Sequence, residues 1–227
     1  MKIKVFQVDD RLDRYNTQFR NYDSVIKSAG RVDPSIYKTV YAGNVDADNL
    51  ETIYTLCNTD HPVGYNGHSM SVSDVVELED GSCHFCDSFG FKELKDFDSS
   101  KVPPIVGHRM LVIEPHKEPY EMTIPDGLEP LQQAVKGYIE ATYPFDDNAF
   151  IIGNEEAKLI GLEGNRRIGG SIYAGTILIL GDDGQGGTTD LTDEQIEQYS
   201  DMFGTPENIS QEEVQDDIWF SVIGFDQ

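Results

Sequence analysis

Apolar positions recur along this chain with periods of about 2.0 or about 3.6, and the switches between them outline the elements. Ile3, Val5 and, less regularly, Val8 alternate with Lys2, Lys4 and Gln7, which predicts a strand over 1–8. Phe19, Tyr22, Val25, Ile26 and Ala29 fall on one face of a helix expected over 15–29, closed by Gly30. Residues 36–41 read as a second strand. Leu50, Ile53, Tyr54 and Cys57 mark a helix over 49–57. Pro62, Gly64 and Gly67 interrupt any period between His61 and Met70. Two apolar runs, 74–78 and 83–89, flank Glu79-Asp80-Gly81-Ser82, a hairpin signal.

Residues 95–107 (KDFDSSKVPPIVG) carry paired serines, paired prolines and a shift in charge, the marks of a linker. Beyond it, strands are expected at 110–113 and 120–124. A helix over 128–142 is built on Leu128, Leu131, Val135, Tyr138 and Ile139. Strands at 150–152 and 158–160 bracket a Gly-Asn-Glu-Glu turn, and the β-branched run 172–180 reads as one central strand. GDDGQGG (181–187) is a loop. Thr192 with Gln195, and Ser210 with Glu213, have capping-box spacing and each open a helix. The apolar tail 218–225, with Trp219, is expected to dock. The expected class is therefore α+β: two small mixed domains, about 1–98 and 108–227, joined by a short proline-containing linker.

Composition supports a globular reading and adds an asymmetry. The 227 residues are 38% hydrophobic and 10% aromatic, which excludes disorder. The formal net charge is −24 and lies mostly in the second half. The last sixty residues, 168–227, hold thirteen carboxylates and no Lys, Arg or His. Such a segment projects a negative field, which repels nucleic acid and anionic lipid and attracts cations or basic surfaces. No apolar run approaches the roughly 18 residues of a membrane span. The start, MKIKVFQV followed by Asp9 and Asp10, lacks a secretory signal, and three cysteines are too few for a disulfide framework. A cytoplasmic location is expected.

Candidate chemistry is sparse. Cys83-His84-Phe85-Cys86 has a C-x-x-C spacing, but a strand would aim the two thiols at opposite faces and a second ligand pair is missing, so ordinary buried cysteines are favoured over zinc. His68, Ser69, Ser71 and Asp74 lie close in sequence without the G-x-S-x-G turn of a nucleophile elbow, and a loop held by local hydrogen bonds is favoured over catalysis. Asp182, Asp183 and Asp190 lack calcium-loop spacing, and the 184–187 glycines lack a phosphate-loop lysine. Arg166 and Arg167, the last cations, are expected to pair with neighbouring carboxylates more readily than with an external anion. Asp193, Glu197 and Asp201, with Glu194 beside them, form a carboxylate row on one helix without basic i+4 partners. Such a row can be a solvated face or an imitation of phosphate charges.

Two groups of motifs carry a family resemblance. Asp60-His61-Pro62, the run from Gly67 through His68, Ser69 and Asp74 to Val76, and Cys86-Asp87-Ser88-Phe89-Gly90-Phe91 resemble the YodL-like domain. Leu111 to Pro115, Gly137 to Glu140, Tyr143 to Asp147, Asn154-Glu155-Glu156, Asn165-Arg166 and Ala174-Gly175-Thr176 are similar to an uncharacterised domain family that often follows it. Neither carries an assigned reaction. The resemblance implies a phage or conjugative-element setting and accessory proteins that counter host defences. The expectation is a non-enzymatic protein without cofactor or metal. It would bind a basic protein surface, such as a nucleic-acid-binding defence protein, as an acidic nucleic-acid mimic of the anti-CRISPR or anti-restriction kind. Its partner-binding residues would be Asp193, Glu194, Glu197, Asp201, Glu212, Glu213, Asp216 and Asp217. The alternative is a small-molecule binder or enzyme that uses His68, Ser69, Asp74 and Asp87, or the surroundings of Asn165 and Arg166.

Overall fold

A computed structural model describes the backbone of residues 1–223 and the side chains of residues 1–218. The chain divides into two compact units, Met1–Ile105 and Val106–Gln227, and the fold is α+β.

The first unit is an antiparallel sheet with helices and loops on its faces. Its strands are β1 (Lys2–Val8), β2 (Tyr37–Asn44), β3 (Val75–Leu78), β4 (Cys83–Cys86) and β5 (Phe91–Leu94), in spatial order β2-β1-β3-β4-β5. Central β1 pairs with both β2 and β3, and a bulge in the β2 register falls between Val5 and Phe6. Phe6, Val8, Val75 and Phe85 pack with Val25 of helix α1 (Tyr22–Ala29) in one core cluster. Helix α2 (Leu50–Thr59) starts at Asn49, whose side chain accepts from the Thr52 N–H.

Helix α1 is half the length that periodicity suggests. Residues 15–21 are a loop because Asp13 captures the Thr17 and Gln18 N–H groups at 2.7 and 2.9 Å, and Asn16 and Phe19 adopt positive φ. Asn21 then caps α1, and Gly30 closes it in the left-handed region. The segment read as a linker belongs largely to the first unit. Phe97 and Val102 are buried in its core on either side of a 3₁₀ turn at Ser99–Lys101, and Thr39 donates to the Pro103 carbonyl. The run read as a strand to Phe89 ends at Cys86; Phe89 is 97% exposed in the turn to β5.

The second unit contains β6 (Gly107–Ile113), β7 (Tyr120–Pro125), helix α3 (Leu128–Val135), β8 (Ile139–Thr142) and β9 (Ala149–Asn154). A hairpin of β10 (Gly164–Ile168) and β11 (Ser171–Ala174) follows, then β12 (Ile177–Asp182), β13 (Thr188–Thr189), and helices α4 (Asp193–Phe203) and α5 (Gln211–Ile223). The main sheet runs β7-β6-β12-β9-β8, with β13 on β12. Leu111, Ile113, Ile151, Ile177 and Ile179 bury against Tyr199 and Phe203 of α4. Val214 of α5 joins Ile172 and Ala174 of the hairpin.

Four expectations change here. The helix predicted to reach 142 stops at Val135: Lys136 turns left-handed, Asn154 Nδ2 donates to the Val135 and Lys136 carbonyls, and a Cβ on Gly137 would overlap the Asn154 amide. The remaining residues of that periodic run form β8. The apolar run 172–180 is two strands, broken at Gly175 (φ +70°), where any Cβ would collide with Leu162. Residues 158–160 are a turn, and the predicted glycine loop begins only after Asp182, the last residue of β12. The expected docking of the tail, Trp219 included, falls on side chains outside those described.

Candidate functional site

Loop 60–74 of the first unit delivers a buried polar cluster onto β1. Strand alternation puts Gln7 on the face opposite Phe6 and Val8, and it is fully buried there. Its Oε1 accepts the His68 N–H at 3.1 Å, while Nε2 lies 2.7 Å from the His68 carbonyl, 3.0 Å from Asp74 Oδ2 and 3.1 Å from Tyr65 Oη. A Cβ on residue 67 would overlap Gln7, so only glycine allows this approach. Asp74 Oδ2 also accepts the Ser71 N–H at 2.8 Å. Two buried atoms have no hydrogen-bond partner and face each other, Asp74 Oδ1 and His68 Nε2, 3.9 Å apart.

Protonation follows from this geometry. His68 Nδ1 lies 2.8 Å from the Ser69 carbonyl and 3.1 Å from Gln7 Nε2; in the tautomer that bonds the carbonyl, which can only accept, Nδ1 carries the hydrogen. In the neutral ring Nε2 is then a bare acceptor. Burial pushes the Asp74 carboxyl up to about 8, against the lowering effect of the Ser71 and Gln7 bonds. A protonated Asp74 facing an unprotonated Nε2 leaves no uncompensated buried charge. The Phe19 ring packs against the imidazole, centroids 5.1 Å apart and planes tilted by 55°, and its backbone at φ +61° donates its N–H to Ser73 Oγ. Ser69 brings only its carbonyl to the ring, and no serine hydroxyl bonds Nε2. Burial also drives the Cys57 and Cys86 thiols up to about 12, so neither is an activated nucleophile. Asp87 sits elsewhere, accepting the Tyr22 and Ser88 N–H groups at the start of α1.

Asn165 and Arg166 are adjacent in the strand yet both buried, because the β10–β11 register shifts between Gly164 and Arg166. Asn165 Nδ2 donates to the carbonyls of Ile113 and Gly175, at 2.8 and 2.7 Å. The Arg166 guanidinium reaches Phe203 O through Nε and Nη2, Lys117 O through Nη2, and Asn165 O and Oδ1 through Nη1. Phe203 ends α4, so a cation sits on the negative end of that helix. This pair ties β6, the hairpin and α4 together. The expected carboxylate pairing holds for Arg167, which bonds Glu207 and Glu213, both at 2.6 Å. Arg166 takes backbone carbonyls instead.

The eight acidic residues named from the sequence divide into two groups. Asp193 pairs with Arg109, Glu213 with Arg167 and the Ser210 N–H, and Asp217 with Lys158 and the Ile172 N–H. Glu194, Glu197 and Asp201 on α4, and Glu212 and Asp216 on α5, are exposed and have no ion pair among the described residues. Four cations of this unit, Arg109, Lys117, Lys158 and Arg167, are held in ion pairs, and a fifth, Arg166, is buried. Among the described residues no group of three or more His, Cys, Asp or Glu side chains is placed to hold a metal ion.

Residues 2–97 match the family model of the YodL-like domain, and residues 108–204 match a domain of unknown function, DUF3846. The chain carries these two domains in that order. No curated protein and no solved structure matches it. Helix α4 lies inside the DUF3846 match, whereas α5 lies beyond it. The motif residues divide by domain. In the YodL-like domain His68 and Asp74 come together and Asp87 does not. In the DUF3846 domain Asn165 and Arg166 form a structural staple. Gln7 and Tyr65 escaped sequence reasoning, because a glutamine between Phe6 and Val8 reads as the polar side of a half-exposed strand. Among the described residues no helix is long and apolar enough to cross a membrane.

Proposed function

We propose that this is an accessory protein that acts by binding a basic protein surface through the carboxylates of α4 and α5, in the manner of an acidic nucleic-acid mimic. The setting implied by the family resemblance, a phage or conjugative element whose accessory proteins oppose host defence, is part of this reading. One observation carries it. The second unit holds 24 carboxylates and 6 Lys or Arg residues, five of which are consumed internally, and Glu194, Glu197, Asp201, Glu212 and Asp216 face solvent without an ion pair among the described residues. Glu197 and Asp201 are one helical turn apart, about 6 Å along the axis, against one phosphate per about 3.4 Å of a DNA strand. Unscreened like charges of this kind accelerate encounter with an opposite surface and fix its orientation.

The test is capture from host lysate on the immobilised chain, native against E194K/E197K/D201K/E212K. A partner retained at low salt, released at high salt and lost to the variant supports the reading. Retention by the variant equal to that of the native chain refutes it.

A second reading keeps the YodL-like domain as the working part, since His68 Nε2 and Asp74 Oδ1 are both unpartnered and mutually facing. Such a pair can hold or move one proton for a bound small molecule once Phe19 swings aside. A Phe19→Ala variant that gains no ligand binding or turnover over the native chain counts against it.

A further inference from the structure

A strongly acidic chain begins with a net basic segment. Residues 1–38 hold eight Lys or Arg (Lys2, Lys4, Arg11, Arg14, Arg20, Lys27, Arg31 and Lys38) and five carboxylates (Asp9, Asp10, Asp13, Asp23 and Asp33), a balance of +3 within a chain of −24. Three of these arginines, Arg11, Arg14 and Arg31, line a cavity of 430 Å³ in the first unit. That volume falls within the roughly 300–1,000 Å³ of small-molecule sites. Its remaining walls include Leu12, Tyr15 and Ile36, and Tyr15 is 60% exposed.

Three acids of this segment, Asp9, Asp13 and Asp33, are already engaged. Asp9 holds Arg11 with two bonds, to Nε at 2.9 Å and Nη2 at 2.7 Å, which orients that guanidinium. Asp13 is turned onto Thr17 and Gln18, at both N–H groups and the Thr17 hydroxyl. Asp33 accepts the Ser35 N–H and touches Arg31 through one Nη at 3.2 Å, leaving the rest of that fork open. Arg14 is exposed and makes no ion pair with a described residue. The Asp13 bonds fix the loop that carries Arg14 and Tyr15, so the site is formed before any ligand arrives.

We propose that this cavity binds a small phosphate monoester with a planar body, a nucleoside monophosphate in size and chemistry. Arg14 and Arg31 take the phosphate, whose geometry suits guanidinium forks. Tyr15, with Leu12 and Ile36 in the same lining, takes the ring. This site lies within the first unit and does not depend on the role of the α4 and α5 carboxylates.

Isothermal titration of the full chain with adenosine 5′-monophosphate, and separately with inorganic phosphate, tests this. The nucleotide should bind saturably. R14Q/R31Q should weaken it at least about tenfold, since charge-assisted bonds are lost. Y15A should weaken the nucleotide and leave phosphate unchanged, and E197K/D201K should change neither. These arginines are exposed, so circular dichroism should show the variants folded; R14Q alone gives the same direction. Absence of nucleotide binding, or binding indifferent to R14Q and R14Q/R31Q, overturns the site. Inorganic phosphate binding as tightly as the nucleotide overturns the assignment of the ring to Tyr15.

Discussion

Asp74 shows how a carboxyl can be kept inside a core without a cation beside it. Its Oδ2 is satisfied by Gln7 and Ser71, and its Oδ1 faces a histidine nitrogen free to accept. The folded group titrates near 8 and the unfolded one near 3.8. Between those values the native state binds one more proton than the unfolded chain, so this residue's contribution is fully present below about pH 4. It declines as pH rises toward about 8. Asp74→Asn reproduces the protonated form, with its carbonyl toward Ser71 and its amide toward His68. Denaturant melts should place it within about 1 kcal/mol of the native chain at neutral pH and closer still, or ahead, at pH 8. Asp74→Ala leaves the Gln7 and Ser71 donors unpaired and should cost about 2–3 kcal/mol. Equal damage from both substitutions would mean that Asp74 is ionised in the native state. The residue itself was legible as part of a motif. Its burial was not, because the glutamine it depends on lies sixty-seven positions away on β1.

Elements were legible where local chemistry decides them. Thr192 and Ser210 cap the helices that their spacing announces, and Gly30 ends α1, whereas the caps at Asn21 and Asn49 are not among the sequence expectations. Thr192→Ala should therefore lower stability by about 1 kcal/mol, measured as a shift in urea midpoint at constant slope. Asp13 shortens α1 locally, but two other failures share one cause, in which a distant group overrides the local period. Leu128 to Ile139 keeps a helical spacing, but Asn154 takes the carbonyls at Val135 and Lys136 and converts the remainder to β8. The run 172–180 is apolar throughout, but Leu162 packs where a side chain at 175 would lie. Arg166 acts at the same scale, since its donors close α4 onto the hairpin and β6–β7 loop. Arg166→Met should cost more than about 3 kcal/mol, because the Phe203 and Lys117 carbonyls lose their partner. Arg166→Lys keeps the charge and loses the fork, and it should recover only part of that loss. Full recovery by lysine would show that charge alone, without the geometry, holds the staple.

At the scale of the molecule, charge is divided unevenly along the chain. The 24 carboxylates of the second unit outnumber its cations fourfold, while the first 38 residues are net basic. Self-repulsion of the acidic surface predicts that moderate salt raises the unfolding midpoint, the reverse of a fold held by surface ion pairs. Composition alone made the asymmetry visible. It did not show which acids are spoken for, because Arg109, Lys158 and Arg167 reach Asp193, Asp217 and Glu213 across the fold. The central claim is that the unpaired five, Glu194, Glu197, Asp201, Glu212 and Asp216, set the affinity for a basic partner. It is tested most directly by the slope of log affinity against log salt for a captured partner, measured for the native chain and for E194K/E197K/D201K/E212K. The account predicts a steep negative slope that flattens in the variant, with affinity at low salt falling by at least about tenfold. An unchanged slope and affinity in the variant would contradict it.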